Sequence, residues 1–178
     1  TNTYYNFTYK GCHFVCLNSM DEHDYYPPRT PGLSQRQLDW AAKEIMARRD
    51  ARWTFIFLHK PIDIMSDRYL EFERRIAGCE YTVFCGDWHN HCTAVRNGKK
   101  LFMLGTTGGG DTLVAQGQRG VHFGEFDHIT WVSMCGDKPE FLNLALDGLH
   151  DEDVVTTSKI TWLTAKYFRA NKPLSEEE

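Results

Sequence analysis

The sequence predicts an α/β (α+β) sandwich, a mixed sheet with helices on one face. Two stretches of helical periodicity lie between short apolar, β-rich runs, and the second half continues as a series of hairpin-like strands. With 178 residues and 42% hydrophobic content, one well-filled core is in reach, and two full domains would be cramped.

The elements follow in order. Strands are expected near residues 4 to 10 and 12 to 19, followed by an irregular stretch from Met20 to Gly32 that is rich in charge, tyrosine and proline. Ser34 followed by Gln37 reads as a capping box, with Leu33 and Leu38 as its hydrophobic staple. Leu38, Ala41, Ala42, Ile45 and Met46 then recur at helical spacing. This predicts a helix to about Arg49 whose apolar stripe covers a sheet.

A strand at 53 to 58, a helix within Asp67 to Ala77 that stops near Gly78, and a strand at 81 to 85 complete the first half. Asn97-Gly98, with its preference for positive φ, marks a hairpin turn between Thr93–Val95 and Leu101–Leu104. Further strands are expected at Val121–Phe126, Thr130–Cys135 and Phe141–Leu146. A tail begins at Asp147: Ile160 to Phe168 reads as a short helix or strand, and Pro173 to Glu178 as loose chain.

Composition narrows the function classes. The net charge of −4 supplies no basic field, and Arg48-Arg49 and Arg74-Arg75 read as solvated helix faces, so no nucleic-acid partner is expected. The longest apolar run, Trp53 to Leu58, is far short of the roughly 20 residues needed to cross a bilayer, so no membrane span is expected. A signal peptide would lie upstream, and nothing in the sequence fixes a compartment.

Six cysteines, at 12, 16, 79, 85, 92 and 135, sit mostly inside apolar patterns and read as buried, reduced thiols. A structural zinc site from Cys85, His89, His91 and Cys92 would crowd its ligands. Asn6-Phe7-Thr8 is a glycosylation sequon of the kind that occurs by chance.

Two strand ends carry the chemistry. Tyr81 to Cys85 runs into Gly86 and then Asp87-Trp88-His89-Asn90-His91. If the backbone stays extended past Gly86, Asp87, His89 and His91 share one face as possible metal ligands. The strand Trp53 to Leu58 ends in His59, with Pro61 just beyond. Ligands at the carboxyl ends of neighbouring strands converge on one crevice.

This ordered pair of strand ends, Leu58-His59-Lys60-Pro61 and Gly86-Asp87-Trp88-His89-Asn90, resembles the C-terminal half of the calcineurin-like metallophosphoesterases, the superfamily that includes purple acid phosphatases. Three more stretches are similar to the family in the same order. They are the hairpin from Tyr4 through Ser19, the helix start Leu33-Ser34-Gln35-Arg36-Gln37-Leu38-Asp39-Trp40, and the glycine-rich Leu104-Gly105-Thr106-Thr107-Gly108-Gly109-Gly110. The likeness spans roughly residues 4 to 135.

Two departures stand beside it. Asp87 occupies the place of the first histidine in the family's Gly-His-x-His motif, and the N-terminal ligand motifs Gly-Asp-x-x-Asp and Gly-Asn-His are absent. Because the chain also begins at Thr1, close to a strand, a segment of a longer protein is expected.

The resemblance implies the C-terminal portion of a four-layer αββα fold over residues 1–146, with 147–178 as an extension or tail. It also implies metal-dependent hydrolysis of a phosphoester substrate at two divalent or trivalent metal ions, Mn, Fe, Zn or Mg. His89 would serve one metal and His59 with Asp87 the other; the carboxylate of Asp87 is a harder ligand that favours Mn²⁺, Mg²⁺ or Fe over Zn²⁺. His91, outside the family's usual ligand set, is a candidate either on the substrate side or as a support behind the ligands, Trp88 a candidate pocket wall, and His23 a residue of a loop that could overhang the pocket. Without the lysine and serine of a P-loop, the glycines at 108 to 110 read as a close chain approach or a tight turn.

The segment alone is expected to be inactive or nearly so, with the leaving-group acid upstream. A catalytically silent binding or assembly module is the alternative, and a mononuclear hydrolase using only local ligands is a third. Half of a sandwich exposes a sheet edge and an apolar face, so association with the missing N-terminal half, or with a second copy, is expected.

Overall fold

Strand and helix alternate from the first residues of the computed structural model, which describes residues 3–21, 32–61, 67–108, 121 and 124–154. The chain forms two compact units, Thr1–Cys85 and Gly86–Glu178. Its class is mixed α and β, with two helices among a majority of strands in the described residues.

The first unit is built from β1 (Tyr5–Tyr9), β2 (Cys12–Cys16), α1 (Gln35–Met46), β3 (Trp53–Phe57), α2 (Asp67–Arg75) and β4 (Tyr81–Cys85). A tight turn with both central residues at positive φ, Lys10 at 48° and Gly11 at 78°, joins β1 to β2, and that handedness matches the twist of an antiparallel pair. β2, β3 and β4 are then parallel neighbours in that order, with α1 and α2 as the crossovers. Successive right-handed crossovers that step one way across a sheet place both helices on the same face. The helices also touch each other, and Arg75 pairs with Asp39 between them.

Register separates the two faces of this sheet. On the helix face, Val15, Ile56 and Val83 lie in one row and are almost fully buried. There Asn6 Nδ2 donates to Glu44 Oε2 of α1 at 3.2 Å, and Tyr81 hydroxyl donates to Glu73 Oε1 of α2 at 3.4 Å. The other face is aromatic. Phe7 stacks on Phe14 at a centroid distance of 4.8 Å, Phe14 lies 5.4 Å from Phe55, and Phe57 stacks on Phe84 at 5.2 Å. At β1 this face is open to solvent, with Tyr5, Phe7 and Tyr9 exposed.

α1 begins as its sequence signal predicts, with Ser34 Oγ accepting from the Gln37 amide at 3.2 Å. Its buried residues are Gln37, Leu38, Ala41, Ala42 and Ile45. The helix stops at Met46 with Ala47 as its cap, short of Arg49, and Met46 is exposed although its sulfur lies 3.7 Å from Cys79 Sγ.

The second unit holds the hairpin β5 (Cys92–Arg96) and β6 (Lys99–Met103), and an antiparallel sheet of β7 (His128–Cys135), β8 (Lys138–Ala145) and β9 (Gly148–Asp151). Asn97 at φ 50° and Gly98 at φ 73° form the expected hairpin turn. Phe102 of β6 packs on Phe141 of β8 at 4.7 Å.

Two expectations need correcting here. No strand forms over the described part of Val121–Phe126, because Gly124 turns the chain at φ 77°. A strand, β9, forms beyond residue 146, where a tail was expected; its short and mostly exposed sequence carries no apolar alternation to announce it. The stretches Ile160–Phe168 and Pro173–Glu178 lie outside the described residues.

Candidate functional site

In the first unit, the carboxyl ends of β2, β3 and β4 are fastened side by side. The Leu17 amide donates to the Phe57 carbonyl at 2.7 Å, and the Leu58 amide donates to the Phe84 carbonyl at 3.0 Å. His59 leaves this edge exposed to solvent, two residues after β3.

The loop beneath His59 is braced by a residue that the sequence pattern assigned to another task. In a capping box Gln37 would reach back to its own helix start. Instead its buried amide clamps the backbone of Asn18: Oε1 accepts from the Asn18 amide at 2.7 Å, and Nε2 donates to the Asn18 carbonyl at 3.0 Å. Ser19, next in the chain, accepts from the Lys60 amide at 3.0 Å and so ties the residue after His59 to the exit of β2. Gln37 and Ser19 thus brace the segment next to His59 in a way that periodicity could not reveal, because each contact joins segments far apart in sequence.

In the second unit, the backbone past Gly86 is not extended, so the expectation that Asp87, His89 and His91 share one strand face is overturned. Asp87 has φ 73° and His89 has φ 54°, and the chain bends from Asp87 to His89. Left-handed conformations are uncommon in residues other than glycine, although Asp and His tolerate them better than most. Two within three residues mark a turn that its surroundings impose. Asp87, Trp88 and His89 are all half-buried in it.

His91 lies on the far side of this turn with no exposed surface. Its amide donates to the Gly124 carbonyl at 2.7 Å, and its Nε2 lies 2.8 Å from the Glu152 carbonyl and 3.1 Å from Asn143 Nδ2. A carbonyl only accepts, so the proton sits on Nε2, and the buried Nδ1 has no hydrogen-bond partner. Asn143 Nδ2 donates instead to the Asp151 carbonyl at 3.1 Å, while its Oδ1 accepts from Thr130 at 2.9 Å. Desolvation pushes the His91 imidazole down to about 4, so it is neutral at pH 7. The ring expected on the substrate side therefore stands among Phe126 at 5.6 Å and His128 at 4.7 Å, joining the end of the site turn to the end of β9.

Of the glycines at 108 to 110, only Gly108 is among the described residues, and it makes a turn and no close approach, which falls instead to Gly105. Gly108 turns at φ 88°, and a Cβ on Gly105 would stand 2.9 Å from the Phe126 carbonyl. Asp127 secures the segment by accepting from the Thr106 hydroxyl and, at 2.9 Å, from the Gly108 amide. These donors hold its carboxyl below the usual range. Gly109 and Gly110 lie outside the described residues, as does His23 with its overhanging loop.

None of the six cysteines is in a disulfide, and four of them are buried. The sequon asparagine is committed internally: Asn6 Oδ1 lies 3.2 Å from His13 Nε2, opposite its contact with Glu44. Among the described residues no three His, Cys, Asp or Glu side chains gather as a metal site requires. Among the same residues no helix is long and apolar enough to cross a membrane.

No protein-family model matches the chain, and no curated protein matches it.

Proposed function

We propose that this chain is the C-terminal part of a calcineurin-like metallophosphoesterase, contributing ligands to a dinuclear centre that hydrolyses a phosphoester. The observation that carries the reading is topological. β2-α1-β3-α2-β4 is a parallel run whose adjacent carboxyl edges lead, two residues on, to His59 after β3 and to Asp87 after β4. Chemistry in open α/β sheets gathers at such carboxyl ends. The constrained turn over Asp87–His89 adds support, because imposed left-handed geometry clusters at functional sites. So does the aromatic face opposite the helices, since an αββα arrangement buries such a face against a second sheet.

In this reading His59 and Asp87 hold one metal and His89 the other. The bound metals would activate water and neutralise charge developing on phosphorus. The remaining ligands and the leaving-group acid belong to an N-terminal half, whose association with the aromatic face completes the fold. Alone, the chain turns over little or no phosphoester.

The test is elemental analysis of the 178-residue chain after purification in Mn²⁺ or Zn²⁺, beside a His59→Ala, His89→Ala variant. Bound metal that disappears in the variant supports the reading. Equal metal in both overturns the ligand assignment. A second reading, a catalytically silent module of the same fold, is favoured by Asp87 standing where the family's motif has histidine. It predicts no metal-dependent hydrolysis even after an N-terminal half with intact ligand motifs is supplied.

A further inference from the structure

Gly124 adjoins the backbone that follows the Asp87–His89 turn more closely than any side chain permits. A Cβ built on it would lie 2.1 Å from the His91 carbonyl oxygen and 3.1 Å from both the nitrogen and the carbonyl carbon of the same residue. The contact is directional as well as close, because the His91 amide donates to the Gly124 carbonyl at 2.7 Å and the Gly124 amide donates to the Val121 carbonyl at 3.0 Å. His91 has little room to withdraw. Its ring is buried, bound at Nε2 to the Glu152 carbonyl, and walled by Phe102 at 6.4 Å and Phe126 at 5.6 Å. A displacement at Gly124 therefore passes along the chain through Asn90 into His89 and Asp87, whose left-handed angles persist only while the surroundings impose them.

We infer that Gly124 is a positioning residue for the Asp87–Trp88–His89 turn, acting through the backbone of His91. The inference rests on the proposed role of Asp87 and His89 for its functional meaning, but its geometric content is independent of that role.

A matched control separates the contact from the backbone preference. Gly136 also has positive φ, 63°, yet a Cβ there meets nothing within 4 Å. Gly124→Ala and Gly136→Ala thus share the left-handed penalty, and only the first adds the clash. In the full chain, Gly124→Ala is expected to shift the backbone amide resonances of Asp87 to His91, while Gly136→Ala leaves them at their wild-type positions. Mn²⁺ added to each should broaden the His89 resonances of wild type and Gly136→Ala, with apparent affinity in Gly124→Ala lower by about tenfold or more, the usual effect of losing support behind a ligand.

Unchanged Asp87–His89 amides in Gly124→Ala, or equal shifts in both variants, overturn the inference. Should wild type bind no Mn²⁺, the metal reading fails, and the amide shifts still decide the role of Gly124. Wild type supplies a check that needs no variant to fold: the His91 amide, bonded to Gly124, should exchange with solvent more slowly than that of Asn90, and fast exchange at His91 overturns the inference.

Discussion

Lowering the pH should destabilise the first unit through one buried imidazole, His13, before its carboxylates titrate. His13 sits on the helix face of β2 with no exposed surface. Its Nε2 lies 3.2 Å from Asn6 Oδ1, and its Nδ1 has no hydrogen-bond partner. Burial, and secondarily the Arg48 guanidinium, push its pKa down to about 4 against the partial opposition of Glu44.

The sign follows from linkage. Between the unfolded value near 6.5 and the folded value near 4, the unfolded chain binds a proton that the folded chain refuses, so stability rises with pH across this window and is lost as pH falls through it. A difference of about 2.5 units at about 1.4 kcal/mol each gives a loss approaching about 3 kcal/mol at the bottom of the window, and about 2 kcal/mol by pH 5. His13→Gln keeps an amide donor near the position of Nε2 and removes the titration. Urea unfolding followed on the amide resonances of β2 and β3, at pH 7, 6 and 5, should show wild type losing about 2 kcal/mol more than the variant over that range. Parallel pH profiles for the two proteins would refute the assignment of the loss to His13.

Three further substitutions test individual contacts. Gln37→Ala removes both bonds to the Asn18 backbone and should cost about 2 kcal/mol in a thermal or urea melt; a change under about 0.5 kcal/mol would show that the clamp contributes nothing. Thr82→Val keeps shape but takes away the acceptor 3.0 Å from Trp53 Nε1. It should cost about 1 kcal/mol and alter the emission of the half-buried indole, and an unchanged spectrum would count against that bond. Asn97→Val puts a β-branched residue at φ 50° in the β5–β6 turn and should destabilise by about 1–2 kcal/mol, whereas a neutral result would mean that the hairpin turn is not of this type.

What could be read from sequence was read from local signals. β3 and β4 are apolar β-rich runs, Ser34 caps α1 within three residues of itself, and Asn97-Gly98 defines a turn by its own conformational preference. Each is settled within a few residues, so the pattern suffices. The expected row of Asp87, His89 and His91 failed because strand alternation holds only while the backbone stays extended, and the chain bends after Gly86. Gln37 shows the same limit inside a correct signal: the cap formed as expected, but its side chain left the local partner for the Asn18 backbone, 19 residues away.

The sequence by itself determined the α/β class, the succession of strands and helices through the first half, the turn at Asn97-Gly98, and the delivery of His59 and Asp87 just past two strand ends. Those features follow from periodicity, capping and turn preference, all of which act over short range. Only the tertiary structure decided that Asp87 and His89 turn left-handed, that His91 points into a core made with Asn143 and the Glu152 carbonyl, and that Gly124 lies against the His91 backbone. Excluded volume and hydrogen bonding between segments tens of residues apart set those outcomes, and no local pattern encodes which distant backbone will occupy the space beside a given glycine.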